Sequence, residues 1–200
     1  MSPPAAGSRS NRPSRDGSSV AGAPPSFAEH VCLALVVEGV THGWAVGSLL
    51  AAGGELGRIW SLTRPLSYRA IDGLVEKKLV SRRGHFPGQG RERVLLAPTA
   101  AGRQASRRWL DTPVAHIRDV RTELLMKLTL RQRAGLDIEA LLVAQQSVLE
   151  PIIASLVGAG PDQADLGDNS LVELWRREQA RAVRRFLAAA LEPVGPPASA

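Results

Sequence analysis

The chain has 200 residues, of which 44% are apolar and 22% charged, enough for one substantial domain or for a small domain with an appended helical element. No apolar run approaches the roughly 20 residues that a bilayer-crossing helix needs, since VCLALVVEGV is interrupted by Glu38. The first 25 residues lack the apolar core of a secretory signal, and the single cysteine, Cys32, excludes an internal disulfide. We therefore expect a cytoplasmic protein that does not span a membrane.

The net charge of +6 is unevenly distributed along the chain. Residues 58–108 carry 12 basic and 3 acidic side chains, a net charge of +9, whereas residues 111–192 carry 10 basic and 12 acidic ones, a net charge of −2. A positive field confined to one part of the molecule predicts a face that binds a polyanion. The alternative is a basic surface that serves solubility.

The amino-terminal elements are a tail and two helices. Residues 1–25 are rich in serine, proline, glycine and arginine, which predicts a disordered basic tail. A thoroughly apolar stretch predicts a core helix over 28–38. Thr41 is the expected cap of a second helix over 43–52, which a pair of glycines ends.

A third helix is predicted to begin near Pro65, because a proline in the first turn loses no needed hydrogen bond. Ser67, Tyr68 and Arg69 are expected at its exposed amino end, where a phosphate would also meet unpaired backbone N–H groups. Tyr68 is the only tyrosine of the chain. The apolar side of this helix is expected to consist of Leu66, Ala70, Ile71, Leu74 and Val75.

The next stretch, LVSRRGHFPGQGRERVLLA at 79–97, predicts two strands joined by a glycine-rich turn. Pro98 removes a ladder donor, so the second strand is expected to end early. Thr99 is the expected cap of a fourth helix that runs through Trp109 and ends before Pro113. Three helices followed by a two-stranded hairpin are the order of a winged helix-turn-helix, whose third helix enters the major groove of DNA.

The remaining residues predict long amphipathic helices, one of them interrupted by Pro151. The sequence S170-L-V-E173 predicts a capping box that opens the last helix, on which Leu171 and Trp175 repeat at helical spacing. Long helices without a sheet to pack on predict a dimerisation arm.

The predicted fold class is therefore mainly α with a small β-hairpin. The expected organisation is a disordered basic tail at 1–25, a winged helix-turn-helix domain at 26–112, a helical dimerisation region at 113–192 and a disordered C-terminus at 193–200.

Side chains with metal-binding or catalytic chemistry are sparse. His30, Cys32 and His42 do not have the density of a metal site, and a cysteine within an apolar run is more often a core residue. The glycine-rich stretches at 53–57 and 84–90 lack the spacing of phosphate-binding loops. No hydrolase motif is present, so we expect no metal, no cofactor and no catalytic activity.

The tryptophans allow two interpretations. Most buried tryptophans are core or interface anchors. Trp109 and Trp175, however, lie on helices that could line a dimer cavity, where they could stack on a small hydrophobic or aromatic effector.

Four segments together resemble the PadR family of bacterial transcriptional regulators over roughly residues 28–130. They are HVCLALVVEGVTHGW at 30–44, WSLTRPLSYRAIDGLVEKKLV at 60–80, TAAGR at 99–103 and RTELLMKL at 121–128. Three features depart from the family pattern: Trp44 follows His-Gly where tyrosine is usual, Lys78 stands where glycine is common, and LAPT at 96–99 replaces the usual Tyr-x-apolar-Thr end of the second strand.

The resemblance implies a homodimeric winged-helix repressor that binds a palindromic operator and is released by a small effector or by stress. It also implies that Tyr68 lies near the DNA backbone and that Arg91 and Arg93 of the wing lie along the adjacent minor groove. The sequence does not distinguish repression from activation, nor does it identify the effector or the operator.

Our leading hypothesis is accordingly a sequence-specific DNA-binding regulator, nucleoid-associated when bound to DNA. Phosphate contacts are expected from Arg58, Arg64, Tyr68, Arg91 and Arg93. Ser67 and Arg69 are the candidates to reach base edges. The alternative is a winged-helix module that binds an acidic protein and does not read DNA.

Overall fold

The computed structural model describes residues 23–86, 93–158 and 170–192. Most of the predicted tail, the hairpin turn and the predicted C-terminus lie outside the described residues. The elements follow in the order α1 Phe27–Glu38, α2 Gly43–Leu50, α3 Arg64–Glu76, β1 Val80–Phe86, β2 Arg93–Pro98, α4 Ala100–Asp111, α5 Ile117–Asp119, a π-helical turn Val120–Leu124, α6 Leu125–Arg133, α7 Glu139–Gly158 and α8 Ser170–Leu191. The mainly helical winged-helix architecture with one antiparallel hairpin is therefore confirmed.

Helix α1 begins one residue before its predicted start because Ser26 closes a capping box. The Ser26 hydroxyl accepts a hydrogen bond from the Glu29 backbone N–H at 3.3 Å, and the Glu29 carboxylate accepts one from the Ser26 N–H at 2.6 Å. Glu29 also accepts a hydrogen bond from Lys77 Nζ at 2.5 Å, which ties the start of α1 to the end of α3. At the other end of α1, Gly39 adopts a φ of +118°, which glycine tolerates at a helix end.

The segment before α2 pairs with the hairpin, so the prediction that Thr41 caps α2 is wrong. The Thr41 carbonyl accepts a hydrogen bond from the Leu96 N–H at 2.7 Å. His42 forms an isolated antiparallel bridge with Leu95, and it precedes α2 without a side-chain capping bond. Thr41 and His42 therefore act as a short third strand beside the wing.

The hairpin strands pair from Val80 opposite Pro98 towards the turn, with an irregularity between Arg83 and His85. Gly84 lies at this irregularity with a φ of +49°, in the left-handed region. The second strand extends to Pro98, so the expected early end is wrong. A proline is tolerated here because it occupies the last position of the strand, where no further ladder bond is needed.

Helix α4 begins as predicted. The Thr99 hydroxyl accepts a hydrogen bond from the Gly102 N–H at 3.0 Å and lies 2.9 Å from the Lys78 carbonyl, to which it donates. Lys78 itself has a φ of +57°, and it is the non-glycine residue with positive φ in the described part of the chain. Glycine adopts this left-handed backbone without strain, which agrees with its common occurrence at position 78 in the family that the sequence resembles.

The first hydrophobic core lies between α1, α2, α3, the hairpin and α4, and α6 adds Met126 and Leu130 to it. Helix α1 is buried nearly all round, because it packs against α3 on one side and α4 on another. The fully buried apolar residues of this core are Val31, Cys32, Leu33, Leu35, Val46, Leu50, Leu56, Leu74 and Met126. This core holds the amino end of α3 at the surface.

The second core lies between the π-helical turn, α6, α7 and α8. Its buried residues are Val114, Val120, Leu124, Leu128, Leu141, Leu142, Leu149, Ile153, Ala180 and Leu187. The described residues leave the amino half of α8 exposed: Leu171, Val172 and Trp175 are 77%, 54% and 63% exposed.

Helix α7 is continuous over 20 residues, so the predicted interruption at Pro151 is wrong. Leu149 and Ile153 on either side of the proline are buried in the second core, and this packing offsets the lost backbone hydrogen bond. By length and composition alone α7 could also cross a membrane, with a mean hydropathy of 1.6. The prediction that no apolar run is long enough to cross a membrane did not include α7. Core helices of soluble proteins can have the same length and hydropathy, and α7 packs along α8.

Polar side chains buried at the junction join the two cores. Lys127 of α6 is 1% exposed; its Nζ donates to the Thr112 carbonyl at 2.8 Å and lies 2.7 Å from Glu123. The Gln145 amide pairs with both backbone groups of Val114, at 2.7 and 2.9 Å. The segment that follows α4 is therefore fixed from two helices.

A second connection joins the end of α6 to the first core. Arg133 donates to both carboxylate oxygens of Glu38, at 2.6 and 3.1 Å, and also pairs with Glu55. The hydrogen bonds that Arg133 donates to Glu38, opposed by burial, raise the pKa of the Arg133 guanidinium above its usual value. This fork connects α6 with α1 and with the segment after α2.

Candidate nucleic-acid interface

The amino end of α3 exposes the only tyrosine of the chain. Pro65 lies in the first turn, as predicted, where a missing N–H leaves no helical bond unmade. Tyr68 is 45% exposed, and Arg64 and Arg69 are exposed beside it. Among the described residues neither arginine forms an ion pair, so both guanidinium groups can bind an anion.

The buried face of α3 contains Ala70, Ile71 and Leu74, as predicted, but its first position is taken by Ser67 instead of Leu66. Ser67 is fully buried, and its hydroxyl donates to the Thr63 carbonyl at 3.2 Å, so the prediction that it is exposed is wrong. Leu66, predicted to face the core, is 44% exposed. The buried residues are Ser67, Ala70, Ile71 and Leu74. Their spacing of three, four and seven was the signal in the sequence that the polarity of serine concealed.

The ring of Tyr68 lies directly over Gly43 of α2. A Cβ atom added at Gly43 would be 2.7 Å from Cε1 of Tyr68 and 3.3 Å from its Cδ1. Any larger residue at position 43 would therefore displace the ring. The glycine allows α2 and α3 to approach closely enough to hold Tyr68 at the surface.

The base of the wing carries two arginines on β1. Arg82 pairs with Asp72 of α3, which connects the hairpin to the helix. Arg83 is exposed. The side chains of Arg82 and Asp72 are about half exposed, so this pair orients the wing more than it stabilises the fold.

The other predicted contacts are distributed around α3. Arg58 is exposed in the segment between α2 and α3. Arg91 lies outside the described residues, and of Arg93 only the backbone is described, paired with Phe86 in the hairpin ladder. The structure therefore brings Arg64, Tyr68 and Arg69 together on one helix.

The histidine and cysteine side chains make no metal cluster in the described ranges. Cys32 is fully buried in the first core, and burial raises the pKa of its thiol to about 12. The thiol therefore remains protonated, as expected for a core residue.

A cavity of about 590 Å³ lies at the junction of the two cores. Trp109 lines it and is 8% exposed; its indole N–H donates to Glu123 at 3.0 Å. The imidazole of His30 stacks on this indole with centroids 5.0 Å apart and planes 5° apart. Lys127 Nζ lies 5.1 Å from the centre of the Trp109 ring. The cavity thus has an aromatic wall, and the carboxylate of Glu123 and the ammonium group of Lys127 lie beside it.

The His30 side chain, which lines this cavity, also has a buried polar atom. Its Nδ1 is buried and has no hydrogen-bond partner among the described residues. Burial lowers the pKa of the imidazole below its usual value, with Lys127 acting in the same direction. Trp175, in contrast, does not line this cavity, so one chain does not bring Trp109 and Trp175 together.

The fold and the exposed end of α3 define a class, that of a winged-helix protein with a basic recognition-type helix. No protein-family model and no curated protein sequence matches the chain. Among solved structures, it is similar to the crystal structure of Bacillus subtilis PadR in complex with operator DNA, with 20% sequence identity and a TM-score of 0.41. The match covers 82% of this chain and 97% of that chain.

That structure is of a PadR, the family that the sequence segments resemble. An identity and a TM-score this low leave the class to be defined by the chain itself. Its own order of elements, the register of its hairpin and the packing of α1 against α3 define the winged helix.

Proposed function

We propose that the chain is a PadR-like transcriptional regulator that binds double-stranded DNA through α3 and the wing. The observation that carries the proposal is the amino end of α3, where Arg64, Tyr68 and Arg69 are exposed together without ion pairs in the described part of the chain. The net charge of +9 over residues 58–108 supports a polyanionic partner. Catalysis is not part of this proposal.

The proposed contacts divide into two kinds. Arg58, Arg64 and Tyr68 bind phosphates, and Arg69 reaches base edges in the major groove. The wing residues Arg91 and Arg93 bind along the adjacent minor groove. Ser67 is excluded from the interface, because its hydroxyl is buried and bonded to the preceding turn.

The first experiment measures the affinity of the chain for a DNA fragment from upstream of its own gene, by fluorescence anisotropy. Tyr68→Ala should weaken binding by a similar factor for all sequences, because phosphates carry no sequence information. Arg69→Ala should cost about 1–3 kcal/mol and relax specificity. Arg185→Ala, which removes an exposed arginine from α8, is the matched control and should leave affinity unchanged.

Salt dependence separates this proposal from a protein-interaction module that does not read DNA. A dimer that contacts several phosphates per subunit should lose affinity steeply between low and moderate salt. The logarithm of the association constant should fall linearly with the logarithm of the salt concentration, with a slope of about −0.9 for each phosphate contact. If the affinity does not depend on salt and is unchanged by Tyr68→Ala and Arg69→Ala, the proposed DNA interface is contradicted. In that case the basic face would be tested against acidic protein partners.

We further propose that a second copy of the chain covers the exposed apolar side of α8. Leu171 and Trp175, with neighbouring Val172 and Leu174, form an apolar surface on the first turns of this helix. Monomeric proteins rarely expose contiguous apolar surface of this kind. The dimer would present two copies of α3 to a palindromic operator.

The dimer is tested by sedimentation of the wild type and of a Leu171→Glu, Trp175→Glu variant. We expect a dimer for the wild type and a folded monomer for the variant, because both side chains are outside the second core. The variant should also bind operator DNA more weakly through loss of the second half-site. A wild-type chain that sediments as a monomer would contradict the proposal.

A repressor role with release by a small effector remains a proposal as well, and it is supported by the junction cavity. The stacked rings of Trp109 and His30 line this cavity and provide an aromatic wall for a small aromatic molecule. The regulator would act in the cytoplasm and associate with the nucleoid when bound to DNA.

Tryptophan fluorescence tests the effector site. A flat aromatic ligand should quench the emission of the wild type and lose most of this effect in Trp109→Phe. The effect should be kept in Trp175→Phe if the ligand occupies the junction cavity rather than a dimer cavity. Unchanged quenching in both variants would place the ligand elsewhere.

A further inference from the structure

Trp44 lies at the first turn of α2 with more than half of its surface exposed. A single exposed tryptophan needs no explanation by itself. This indole, however, is next to the helix end that we propose to bind DNA. The guanidinium carbon of Arg64 lies 5.7 Å from the centre of the Trp44 ring, within the range of a cation–π contact.

Two glycines on α2 bring Trp44 and Arg64 together. Gly47 is one helical turn from Gly43, on the same side of α2. A Cβ atom added at Gly47 would be 3.3 Å from Cγ of Arg64, which is tighter than most such contacts, and at an ordinary 3.8 Å from the Ser67 hydroxyl. The stem of Arg64 therefore lies against the backbone of α2, and its guanidinium group meets the indole of Trp44.

The contact with Trp44 leaves the hydrogen-bonding capacity of Arg64 intact. A cation–π contact uses the positive charge of the guanidinium group and does not require its N–H groups to be paired with an acceptor, so these donors are still available to an anion. In the described part of the chain, no carboxylate forms an ion pair with Arg64. An arginine held in this way is pre-ordered for an anion and is not already neutralised by one.

We propose that Trp44 is a positioning residue for DNA binding: it holds the Arg64 guanidinium at the amino end of α3, where a phosphate is bound. The inference rests on the proposed function and assigns Trp44 to it. The contact with the Trp44 indole restricts the otherwise flexible Arg64 side chain before DNA binds, so Arg64 loses less conformational freedom on binding.

A double-mutant cycle tests this assignment with the same upstream DNA fragment. Trp44→Leu keeps an apolar side chain but removes the aromatic face, and it should weaken binding about 2- to 5-fold. Trp44→Phe should recover part of the loss. In an Arg64→Ala background, Trp44→Leu should have no further effect, because the residue that it positions is absent.

Arg69→Ala is the matched control background. Arg69 is exposed on the same helix but does not lie over the Trp44 ring, so there Trp44→Leu should keep its full effect. Thermal unfolding of each variant should show the same transition as its parent, which separates positioning from loss of fold.

Three results would overturn the assignment. Trp44→Leu could weaken binding by the same factor with and without Arg64, which would make the indole an independent contact. Trp44→Leu could also leave affinity unchanged while Arg64→Ala lowers it. A wild type that binds no DNA at any salt concentration would defeat the proposed function itself, and this assignment with it.

Discussion

The two cores of the molecule differ in how completely a single chain closes them. In the first core the large apolar side chains are enclosed by helices on several sides, and the exposed aromatic residues Trp44 and Tyr68 lie beside arginines. In the second core, α7 and α8 cover each other on one side only, and the first turns of α8 remain apolar and exposed. Among the described residues, the first region therefore encloses its core on several sides, whereas the second leaves an apolar surface exposed on α8.

The charges follow the same division. The basic excess belongs to residues 58–108, around the first core, and residues 111–192 are slightly acidic. The two regions are not independent, however, because α6 contributes Leu130 to the first core and Leu128 to the second. The comparison can therefore be tested by substitutions that affect one core, the other or the junction between them.

The largest effects are expected from cavities made in each core. Leu130→Ala and Leu124→Ala should each lower the free energy of unfolding by about 2–5 kcal/mol, since both leucines are at most 2% exposed. Because the cores share α6, each variant should unfold in one transition followed identically by circular dichroism and tryptophan fluorescence. Two transitions, each shifted by only one variant, would show that the cores unfold separately.

The junction is tested by Arg133→Met, which keeps the length of the side chain but removes its charge. Loss of the fork to Glu38 and of the pair with Glu55 should cost about 2 kcal/mol, because the Glu38 carboxylate is only 18% exposed. The matched control is Arg181→Met on α8, whose pair with Glu178 is half exposed and should contribute about 0.3–0.5 kcal/mol. Equal effects in urea unfolding would contradict a special role for Arg133.

A smaller effect is expected at the helix start of the first core. Ser26→Ala removes the capping box of α1 and should cost about 1 kcal/mol. Ser26→Asp retains an acceptor and should recover most of the loss. If Ser26→Ala is neutral in urea unfolding, the hydrogen bond from Lys77 alone fixes Glu29.

Lys78→Gly is expected to stabilise the first region. Lys78 has a φ of +57°, a conformation that costs a side-chain-bearing residue roughly 1 kcal/mol. Part of this gain is offset by the greater freedom of glycine in the unfolded chain, so the net increase should be about 0.5 kcal/mol. Lys77, the residue before Lys78, has an ordinary φ of −74° and binds Glu29, so Lys77→Gly should destabilise the protein instead.

The smallest expected effect is the dependence of stability on pH. The lowered pKa of His30 means that the unfolded chain binds a proton more readily, so stability falls as the pH drops below 6.5, the ordinary value. For Glu29, burial alone would raise the pKa, but hydrogen bonds from Lys77 and Ser26 bring it below 4.5. Its contribution is therefore lost only at a lower pH.

Two variants separate these pH ranges. His30→Gln should flatten the pH dependence of the thermal midpoint between about pH 7 and 5.5, and Glu29→Gln should flatten it only below about pH 4.5. If His30→Gln leaves the upper range unchanged, the imidazole titrates in the folded chain as it does in the unfolded one.

Local signals explain what the sequence predicted. Pro65 and Thr99 mark the starts of α3 and α4 because a proline in the first turn and a hydroxyl cap act within one turn of chain. The Ser-x-x-Glu sequence at 26–29 is likewise a local signal for the capping box of α1. The order of elements and the hairpin follow from such signals.

Contacts between distant segments could not be predicted. Thr41 pairs with Leu96 rather than capping α2, and Arg133 meets Glu38 across most of the chain. The face that α3 buries is likewise decided by how close α2 can approach, so that serine 67 is enclosed and Leu66 is not. The exposure of Tyr68 and Arg69 at the amino end of α3 was predicted correctly, while their proposed roles in DNA binding stay predictions.

The sharing of α6 has a consequence for the spacing of DNA half-sites. A helix that belongs to both cores, and is also fixed by Lys127 and Arg133, leaves little freedom between the arm and α3. In the proposed dimer, the contact between the α8 helices of the two subunits would then fix the distance between the two copies of α3. Operators would have to match it, with half-sites about 34 Å apart or at a multiple of this distance, and inserting half a helical turn of base pairs between them should abolish binding.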